Sequence, residues 1–104
     1  MSREKEEFDS LLKEKTHEKI KEPPLFKVIL HNDDYTTMDF VVQVLMSVFH
    51  KSIEEATSIM LNVHRKGAGL CGVYAKEIAE TKVAIVGEIA HQHEFPLRCT
   101  MEEA

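Results

Sequence analysis

The chain has 104 residues, 43% of them hydrophobic, and a formal net charge of −5 at pH 7. This length fits one domain with a buried core, and no apolar run approaches the roughly 20 residues that cross a membrane. An acidic chain without a basic cluster is atypical of nucleic-acid binding, and the charged N-terminus lacks the apolar stretch of a secretory signal. We therefore expect a cytoplasmic protein with neither a nucleic acid nor a membrane as partner.

Residues 1–22 form a charged segment rich in Lys and Glu, with few apolar side chains. Glu and Lys favour helix formation, but the segment has no apolar face wide enough to dock firmly. We therefore predict a flexible charged N-terminal arm. Pro23-Pro24 marks its end, because both rings fix φ and remove N–H donors, and residues 23–104 are predicted to form one folded domain.

A strand, a polar loop and a helix follow this boundary. Leu25–His31 is an apolar run that predicts a buried strand. The first helix is predicted from Met38 to about His50, with Thr36 or Thr37 as its N-cap. Its core-facing positions are Phe40, Val41, Val44, Leu45 and Val48.

Two further helices and two strands are predicted in the remaining chain. A capping box at Ser52–Glu55 begins the second helix, and Gly67 ends it. A strand over Gly69–Tyr74 precedes a helix over about Ala75–Glu94, and Phe95–Met101 is the last strand. The positions expected to face the core in these two helices are Ile53, Ala56, Ile59, Met60, Val63, Ile78, Ala79, Val83, Val86, Ile89 and Ala90.

The predicted order is therefore β-α-α-β-α-β. A small sheet covered by helices is the natural layered arrangement for such a chain. We predict an α+β fold in which a three-stranded antiparallel sheet packs against three helices.

The loop Asn32–Met38 is the strongest candidate for a binding site, because loops between regular elements often have functional roles. It places an amide, two carboxylates and two threonine hydroxyls together, which suits a cationic ligand better than a phosphate. Met60 and His64 lie four residues apart on one side of a helix, and the β-α-α order allows that side to meet the loop. Considered alone, Asn32-Asp33-Asp34 is also typical of a simple turn, and a lone histidine beside apolar residues is usually structural.

Several sequence motifs resemble those of a known family. The runs HNDDYTTMDFV, MLNVH, GLCGVYAKEIAETKV and FPLRCTME resemble ClpS, the bacterial adaptor that hands proteins with certain N-terminal residues to a Clp ATPase–protease. The resemblance extends from Pro23 to Ala104. It implies an adaptor for proteins that begin with a bulky hydrophobic residue, namely Leu, Phe, Tyr or Trp.

The resemblance also implies roles for individual residues. Asn32, Asp33 and His64 correspond to the groups that bind the free α-amino group of the substrate's first residue, and Asp34 belongs to the same acidic loop with lesser weight. An ammonium with three N–H donors suits an amide oxygen, a carboxylate and a neutral imidazole. The residues that correspond to the side-chain pocket are Thr36, Met38, Val41, Met60, Val63 and Leu97.

The implied partners are N-degron proteins and the N-terminal domain of a ClpA-type AAA+ ATPase. Glu77 and Lys82 correspond to the residues that contact this domain, and the charged arm corresponds to the extension that the ATPase engages during delivery. Taken by residue type alone, the exposed charges at Lys76–Lys82 would be an ordinary solvated helix face. We expect a monomer when the protein is free.

An enzyme is the main alternative class, because His64, Cys71, Cys99, His91 and His93 offer chemistry for metals or thiols. Their spacing fits no zinc pattern, and two histidines two apart on a helix point away from each other. The cysteines have apolar neighbours that predict buried, inert thiols. We therefore expect no catalytic residue, no metal and no cofactor.

A second alternative is a generic interaction domain, or a paralogue that prefers other N-terminal residues. Thr37 stands where many ClpS proteins have proline. Because proline at the start of a helix fixes φ in a helical range, this difference bears on the shape of the side-chain pocket. The ranking among Leu, Phe, Tyr and Trp is therefore left open.

Overall fold

A computed structural model describes the backbone of residues 2–19 and 22–104, and the side chains of residues 3–11 and 22–104. The charged N-terminal segment forms a helix, α1, over Ser2–Lys19, in keeping with its Glu and Lys content. Its apolar side chains Phe8 and Leu11 are exposed. The flexibility predicted for the arm stays a prediction, and its residues 1, 20 and 21 lie outside the described residues.

Three strands form the sheet: β1 (Leu25–His31), β2 (Ala68–Ala75) and β3 (Arg98–Glu103). The spatial order is β2-β1-β3, and β1 is antiparallel to both neighbours. The register between β1 and β2 shifts after Val28, where the pairing is irregular. The prediction of an α+β fold with a three-stranded antiparallel sheet and the order β-α-α-β-α-β after the N-terminal segment is confirmed.

Three helices accompany the sheet: α2 (Met38–Ser47), α3 (Ile53–Lys66) and α4 (Lys76–Gln92). Thr37 is the N-cap of α2, and its hydroxyl accepts a hydrogen bond from the Phe40 amide at 3.2 Å. Thr37, and not Thr36, is therefore the N-cap. Its hydroxyl satisfies one of the free N–H groups of the first turn.

Both predicted ends of α3 are confirmed. Ser52 and Glu55 form a reciprocal capping box, in which each side chain accepts from the other residue's backbone N–H. Gly67 closes the helix in the left-handed region at φ 89°, which glycine adopts without steric cost. A Cβ at Gly69 would lie 2.7 Å from Val63 Cγ2, so glycine there lets α3 sit directly against β2.

The core lies between the helices and one face of the sheet. Every core position predicted for the first helix is buried, and Val28 and Leu30 of β1 are fully enclosed. The buried apolar residues are Val28, Leu30, Phe40, Val41, Val44, Leu45, Val48, Phe49, Ala56, Val63, Cys71, Ala79, Val86, Ala90 and Leu97.

Several predicted boundaries were wrong. The first helix ends at Ser47 rather than near His50, because His50 adopts a left-handed φ of 55° in the turn that leads to α3. The last strand begins at Arg98 instead of Phe95, since Phe95 packs its ring against Phe40 at 4.8 Å before the strand starts.

The predicted inward positions of α3 and α4 were wrong at two residues. Ile53 and Ile78 are 57% and 50% exposed. Each lies in the first turn of its helix. No helix within residues 2–19 and 22–104 is long and apolar enough to cross a membrane.

Candidate functional site

Asp33 organises the loop between β1 and α2. One oxygen of its carboxylate, Oδ1, accepts from the backbone amides of Tyr35 at 2.8 Å and Thr36 at 2.7 Å, and the other, Oδ2, accepts from the Thr36 hydroxyl at 2.7 Å. Local bonds of this kind are the reason that Asp is favoured in turns. The carboxylate is therefore fixed in place, while a lone pair on Oδ2 stays available to a donor from outside the loop.

The charge on Asp33 is stabilised by the same bonds. Burial raises the pKa of this carboxyl, but the hydrogen bonds from Thr36 and Tyr35 together outweigh burial and hold the pKa below its usual value. Asp33 is therefore ionised at neutral pH. It provides a fixed negative charge within the loop.

A backbone bond joins the loop to the end of α3. The Asn32 amide donates to the Gly67 carbonyl at 2.9 Å, so the first residue of the loop lies beside the last turn of α3. His64 is in that turn. The free carbonyls of a helix C-terminus have partial negative charge, and this bond thus places the loop at an end of α3 that favours a cation.

A cavity of about 420 Å³ lies between the loop, the start of α2 and α3. Polar groups of the loop and His64 form one part of its wall, and apolar side chains from the two helices form the other. The lining residues are Asn32, Asp33, Asp34, Tyr35, Thr36, Thr37, Met38, Val41, Met60, Val63 and His64.

The structure places nearly all of the proposed site residues together. Asn32, Asp33 and His64 line this cavity, and so does the proposed side-chain pocket except for one residue. That residue, Leu97, is 6% exposed and belongs to the hydrophobic core, and it is not among the lining side chains. Its role in the pocket stays a prediction.

Sequence reasoning gave no site role to Tyr35, which also lines the cavity. Its side chain is 77% exposed, an unusual position for a large aromatic residue that nothing within the described side chains covers. Its place inside the polar loop was the available signal, because every residue from Asn32 to Met38 borders the cavity.

The chemistry of the cavity is that of a site for a small amphipathic cation. The lining combines the acceptors and negative charge of the loop with the apolar side chains of Met38, Val41, Met60 and Val63. A flexible methionine side chain adapts to ligands of several shapes. A ligand with a charged nitrogen and a bulky apolar group would find partners for both groups in this lining.

A second concavity, of about 570 Å³, lies along α4 and the end of α2. Glu77 and Lys82, the residues predicted to dock the ATPase, both border it. We call this concavity the α4 groove. Its lining residues are Ser47, Val48, His50, Glu77, Ile78, Thr81, Lys82, Ile85 and Ile89.

Of the groups considered for an enzyme, His64 lines the cavity, whereas Cys71, Cys99, His91 and His93 do not. Cys71 and Cys99 are free, and burial raises the pKa of each thiol to about 12, which removes the thiolate needed for nucleophilic chemistry. His93 packs its ring against Phe40 at 5.1 Å. Within residues 3–11 and 22–104, no three His, Cys, Asp or Glu side chains converge as metal ligands would.

Comparison with known proteins gives consistent results. The family described as "ATP-dependent Clp protease adaptor protein ClpS" matches residues 21–100. The ClpS adapter protein of Oleidesulfovibrio alaskensis is 60% identical, over 95% of this chain and 91% of the relative. That of Syntrophus aciditrophicus is 58% identical, over 92% and 90%.

A solved structure shares the fold. ClpS2 of Agrobacterium tumefaciens, bound to L-phenylalaninamide, superposes with a TM-score of 0.77 and 39% sequence identity. The match covers 79% of this chain and 99% of the other. The three-stranded sheet and the helices packed on it are therefore an arrangement that a ligand-bound relative also adopts.

Proposed function

The chain belongs to the ClpS family of ATP-dependent Clp protease adaptor proteins, and from this premise we propose that its cavity binds the first residue of a substrate. The chain acts as an N-end rule adaptor that delivers proteins to a Clp protease. The observation that supports this site is the convergence of Asn32, Asp33 and His64 with an apolar wall in one cavity.

The polar end of the cavity suits the substrate's free α-amino group. Asp33 offers a fixed carboxylate oxygen, and Asn32 and His64 add an amide oxygen and an imidazole nitrogen from other directions. A charge-assisted hydrogen bond contributes about 1.5–3 kcal/mol. An acetylated N-terminus has no ammonium, so the acceptors would be left unpaired and its binding is expected to be poor.

The apolar end of the cavity suits the side chain of the same residue. Its proposed walls are Thr36, Met38, Val41, Met60 and Val63, with Leu97 behind them. Full burial of a Leu- or Phe-sized side chain is worth roughly 1.5–3 kcal/mol. We propose Leu, Phe, Tyr and Trp as the preferred first residues, because Met38 would crowd a β-branched side chain. The relative from Agrobacterium binds L-phenylalaninamide, which offers a free α-amino group and a phenyl ring.

The α4 groove is proposed to receive the N-terminal domain of a ClpA-type AAA+ ATPase. Glu77 is exposed, as a docking charge must be, and Ile78 and Ile85 beside it are exposed apolar residues. Exposed apolar side chains flanked by charge are typical of interaction surfaces. The charged segment 1–22 is proposed to be the part that the ATPase engages during delivery.

We further propose a monomer that works in the cytoplasm and has no catalytic activity of its own. The free cysteines support a reducing compartment. Their raised pKa supports the absence of thiol catalysis.

Degradation of a reporter protein tests this function. A reporter that begins with Phe, incubated with ClpA, ClpP, ATP and this chain, should be degraded several-fold faster than without the chain. A matched reporter that begins with Ile should gain little. Equal acceleration of both reporters would rule out selection by the first residue, and no acceleration would rule out delivery.

A chain lacking residues 1–22 tests the proposed role of the arm. It should bind a Phe-initiated peptide as the full chain does, since the cavity lies wholly within residues 32–64. It should fail to accelerate degradation. Normal delivery by the truncated chain would contradict the role of the arm while leaving the cavity assignment intact.

A further inference from the structure

The ammonium group of Lys82 is engaged by three groups of its own chain. Its Nζ donates to the Val48 carbonyl at 2.7 Å. It also lies 5.6 Å from the centroid of the Phe49 ring and 5.2 Å from that of Tyr74, within the range of cation–π attraction. Lys82 therefore differs from an ordinary surface lysine, which has only water as a partner.

The carbonyl that Lys82 binds belongs to the end of a helix. Val48 is the C-cap of α2, and the last carbonyls of a helix lack partners within that helix. A cation near this end is favourable because of the helix dipole, yet α2 has no basic residue in its last turn. Lys82 supplies that cation from α4, 34 residues further along the chain.

The turn that follows α2 has a conformation that needs support. His50 adopts φ 55°, a left-handed conformation that is unfavourable for a residue with a Cβ. The turn is held by the bond from the Lys51 amide to the Leu45 carbonyl at 3.1 Å and by Phe49, which is only 4% exposed. Lys82 bonds to the same turn from the outside.

We propose that Lys82 is a positioning residue that clamps the Val48–His50 turn against α4 and thereby shapes the α4 groove. The proposal rests on the proposed docking function, because Val48 and His50 form one wall of that groove and Glu77 and Ile78 form part of the other. Lys82 then contributes to docking through the turn. Glu77, whose carboxylate has no hydrogen bond or ion pair within the described side chains, contributes by direct contact.

Action of Lys82 through the turn and direct contact of Lys82 with the ATPase predict different effects when the buried residue Phe49 is replaced. The ring of Phe49 is hidden from a partner but forms part of the clamp. A Phe49→Leu variant keeps an apolar side chain in the core and removes the aromatic face. If Lys82 acts through the turn, this variant weakens docking although it offers no different surface to the ATPase.

The test compares Lys82→Ala, Lys82→Arg, Phe49→Leu and Glu77→Ala by hydrogen exchange of the Lys51 amide and by affinity for the isolated ATPase N-terminal domain. Lys82→Ala should speed exchange at Lys51 by about fivefold and weaken docking by a similar factor. Phe49→Leu should also speed exchange at Lys51 and weaken docking, but to a smaller extent. Lys82→Arg should keep much of the wild-type protection and affinity, because a guanidinium also donates hydrogen bonds and stacks on aromatic rings.

Two controls separate the clamp from general instability and from direct contact. Leu30→Val removes a methylene from a fully buried side chain of β1 and should lower the melting temperature without changing docking. Glu77→Ala should weaken docking with unchanged exchange at Lys51.

Either of two results would overturn the proposal. One is unchanged exchange at Lys51 in Lys82→Ala, and the other is wild-type docking by Phe49→Leu. If the wild-type chain does not bind the ATPase domain at all, the docking function itself fails, together with the part of the proposal that rests on it. Exchange at Lys51 then still decides whether Lys82 clamps the turn.

Discussion

Asp33 has two separate tasks in the candidate site. Its carboxylate holds the loop through three hydrogen bonds from Tyr35 and Thr36, and the same group is the proposed anion for the substrate's ammonium. The two tasks support each other, because a carboxylate that is already fixed loses little freedom when a ligand binds.

Replacement of Asp33 should therefore weaken binding strongly. Asp33→Ala removes the charge and the acceptors, and loss of a charge-assisted bond of about 1.5–3 kcal/mol predicts a roughly tenfold to hundredfold lower affinity for a Phe-initiated peptide. The fold should persist, since the loop lies outside the core. Asp34→Ala removes a charge from the same loop and should weaken binding less, because the hydrogen bonds that organise the loop are made by Asp33. Wild-type affinity in Asp33→Ala, measured by calorimetry, would remove Asp33 from the site.

The pKa of Asp33 determines how its contribution to binding depends on pH. The pKa of Asp33 is below its ordinary value, since its hydrogen bonds with Thr36 and Tyr35 outweigh the opposing effect of burial. Its contribution to loop stability is therefore fully present above the pKa it has in the unfolded chain, and is lost only as the pH falls through the lower folded value. Asp33 thus stays ionised between about pH 7 and pH 5.5, so its contribution to binding should not change over that range.

His64 is proposed to accept a hydrogen bond from the same ammonium. His64→Ala removes this acceptor and should weaken binding of a Phe-initiated peptide roughly tenfold, whereas His64→Gln keeps an amide oxygen as acceptor and should bind more tightly than the alanine variant. Calorimetry at one pH measures both affinities. Wild-type affinity in His64→Ala would count against the role of His64.

The start of α2 connects an element to the shape of the site. Thr37 caps this helix, and the first helical residue, Met38, borders the cavity. The φ of Thr37 is −71°, a value that proline also adopts, so the backbone at this position would accept either residue. The threonine adds a side-chain acceptor for the Phe40 amide that proline lacks.

Substitutions at Thr37 should separate the stabilising effect of the threonine cap from that of a rigid proline ring. Thr37→Ala loses the cap and should lower the free energy of unfolding by about 1 kcal/mol. Thr37→Pro loses the same cap, but its rigid ring stabilises the fold by roughly 0.4–1 kcal/mol through the unfolded state. Urea denaturation should therefore rank wild type above proline and proline above alanine. Ser58→Ala, at an exposed position of α3, is the control, and an alanine variant as stable as wild type would contradict the capping role.

The ends of the elements were predictable where a local signal fixes them. The capping box at Ser52 and the left-handed glycine at Gly67 are decided by neighbours in sequence, and both are present. The end of α2 was not predictable, because the turn at His50 depends on Lys82 from a distant helix. The start of β3 was misplaced for a similar reason, since Phe95 packs on Phe40 rather than entering the sheet.

The candidate site was predictable in its residues but not in its geometry. Residue types indicated a site for a cation at Asn32–Met38, and the family resemblance joined it to Met60, Val63 and His64. Only the folded chain brings them together, because the Asn32 amide bonds to Gly67 and fixes the loop against α3. The exposed ring of Tyr35 had no periodic signal to mark it.

At the scale of the whole molecule, α2 contributes to both concavities. Met38 and Val41 at its start line the cavity, and Ser47 and Val48 at its end border the α4 groove. A rise of about 1.5 Å per residue separates the two ends by roughly 15 Å. The two concavities share no lining residue, so the proposed substrate site and the proposed docking site are separate surfaces.

Mutation of Glu77 tests this separation. Glu77→Ala should weaken binding to the ATPase N-terminal domain and slow delivery of a Phe-initiated reporter, because the proposed contact is lost. Affinity for a Phe-initiated peptide should be unchanged, since Glu77 does not line the cavity. Normal delivery would show that Glu77 has no docking role, and weakened peptide binding would show that the two surfaces are not independent.

The packing of the whole domain should also protect its thiols. Burial raises the pKa of Cys71 and Cys99 to about 12, so almost no thiolate is present near neutral pH. Reaction with a chromogenic disulfide reagent at about pH 8 should be at least tenfold slower in the native chain than in urea. Rapid modification of the native protein would show that the sheet opens to solvent.

The most direct test of the central claim is fluorescence anisotropy with short peptides that begin with Phe, acetyl-Phe and Ile. The account predicts micromolar or tighter binding of the free Phe peptide, and at least about tenfold weaker binding of the other two. The acetyl group removes the ammonium that Asn32, Asp33 and His64 are proposed to bind, and the β-branched side chain is expected to clash with Met38. Equal binding of all three peptides, or no binding of any, would contradict the assignment of this cavity as a reader of N-terminal residues.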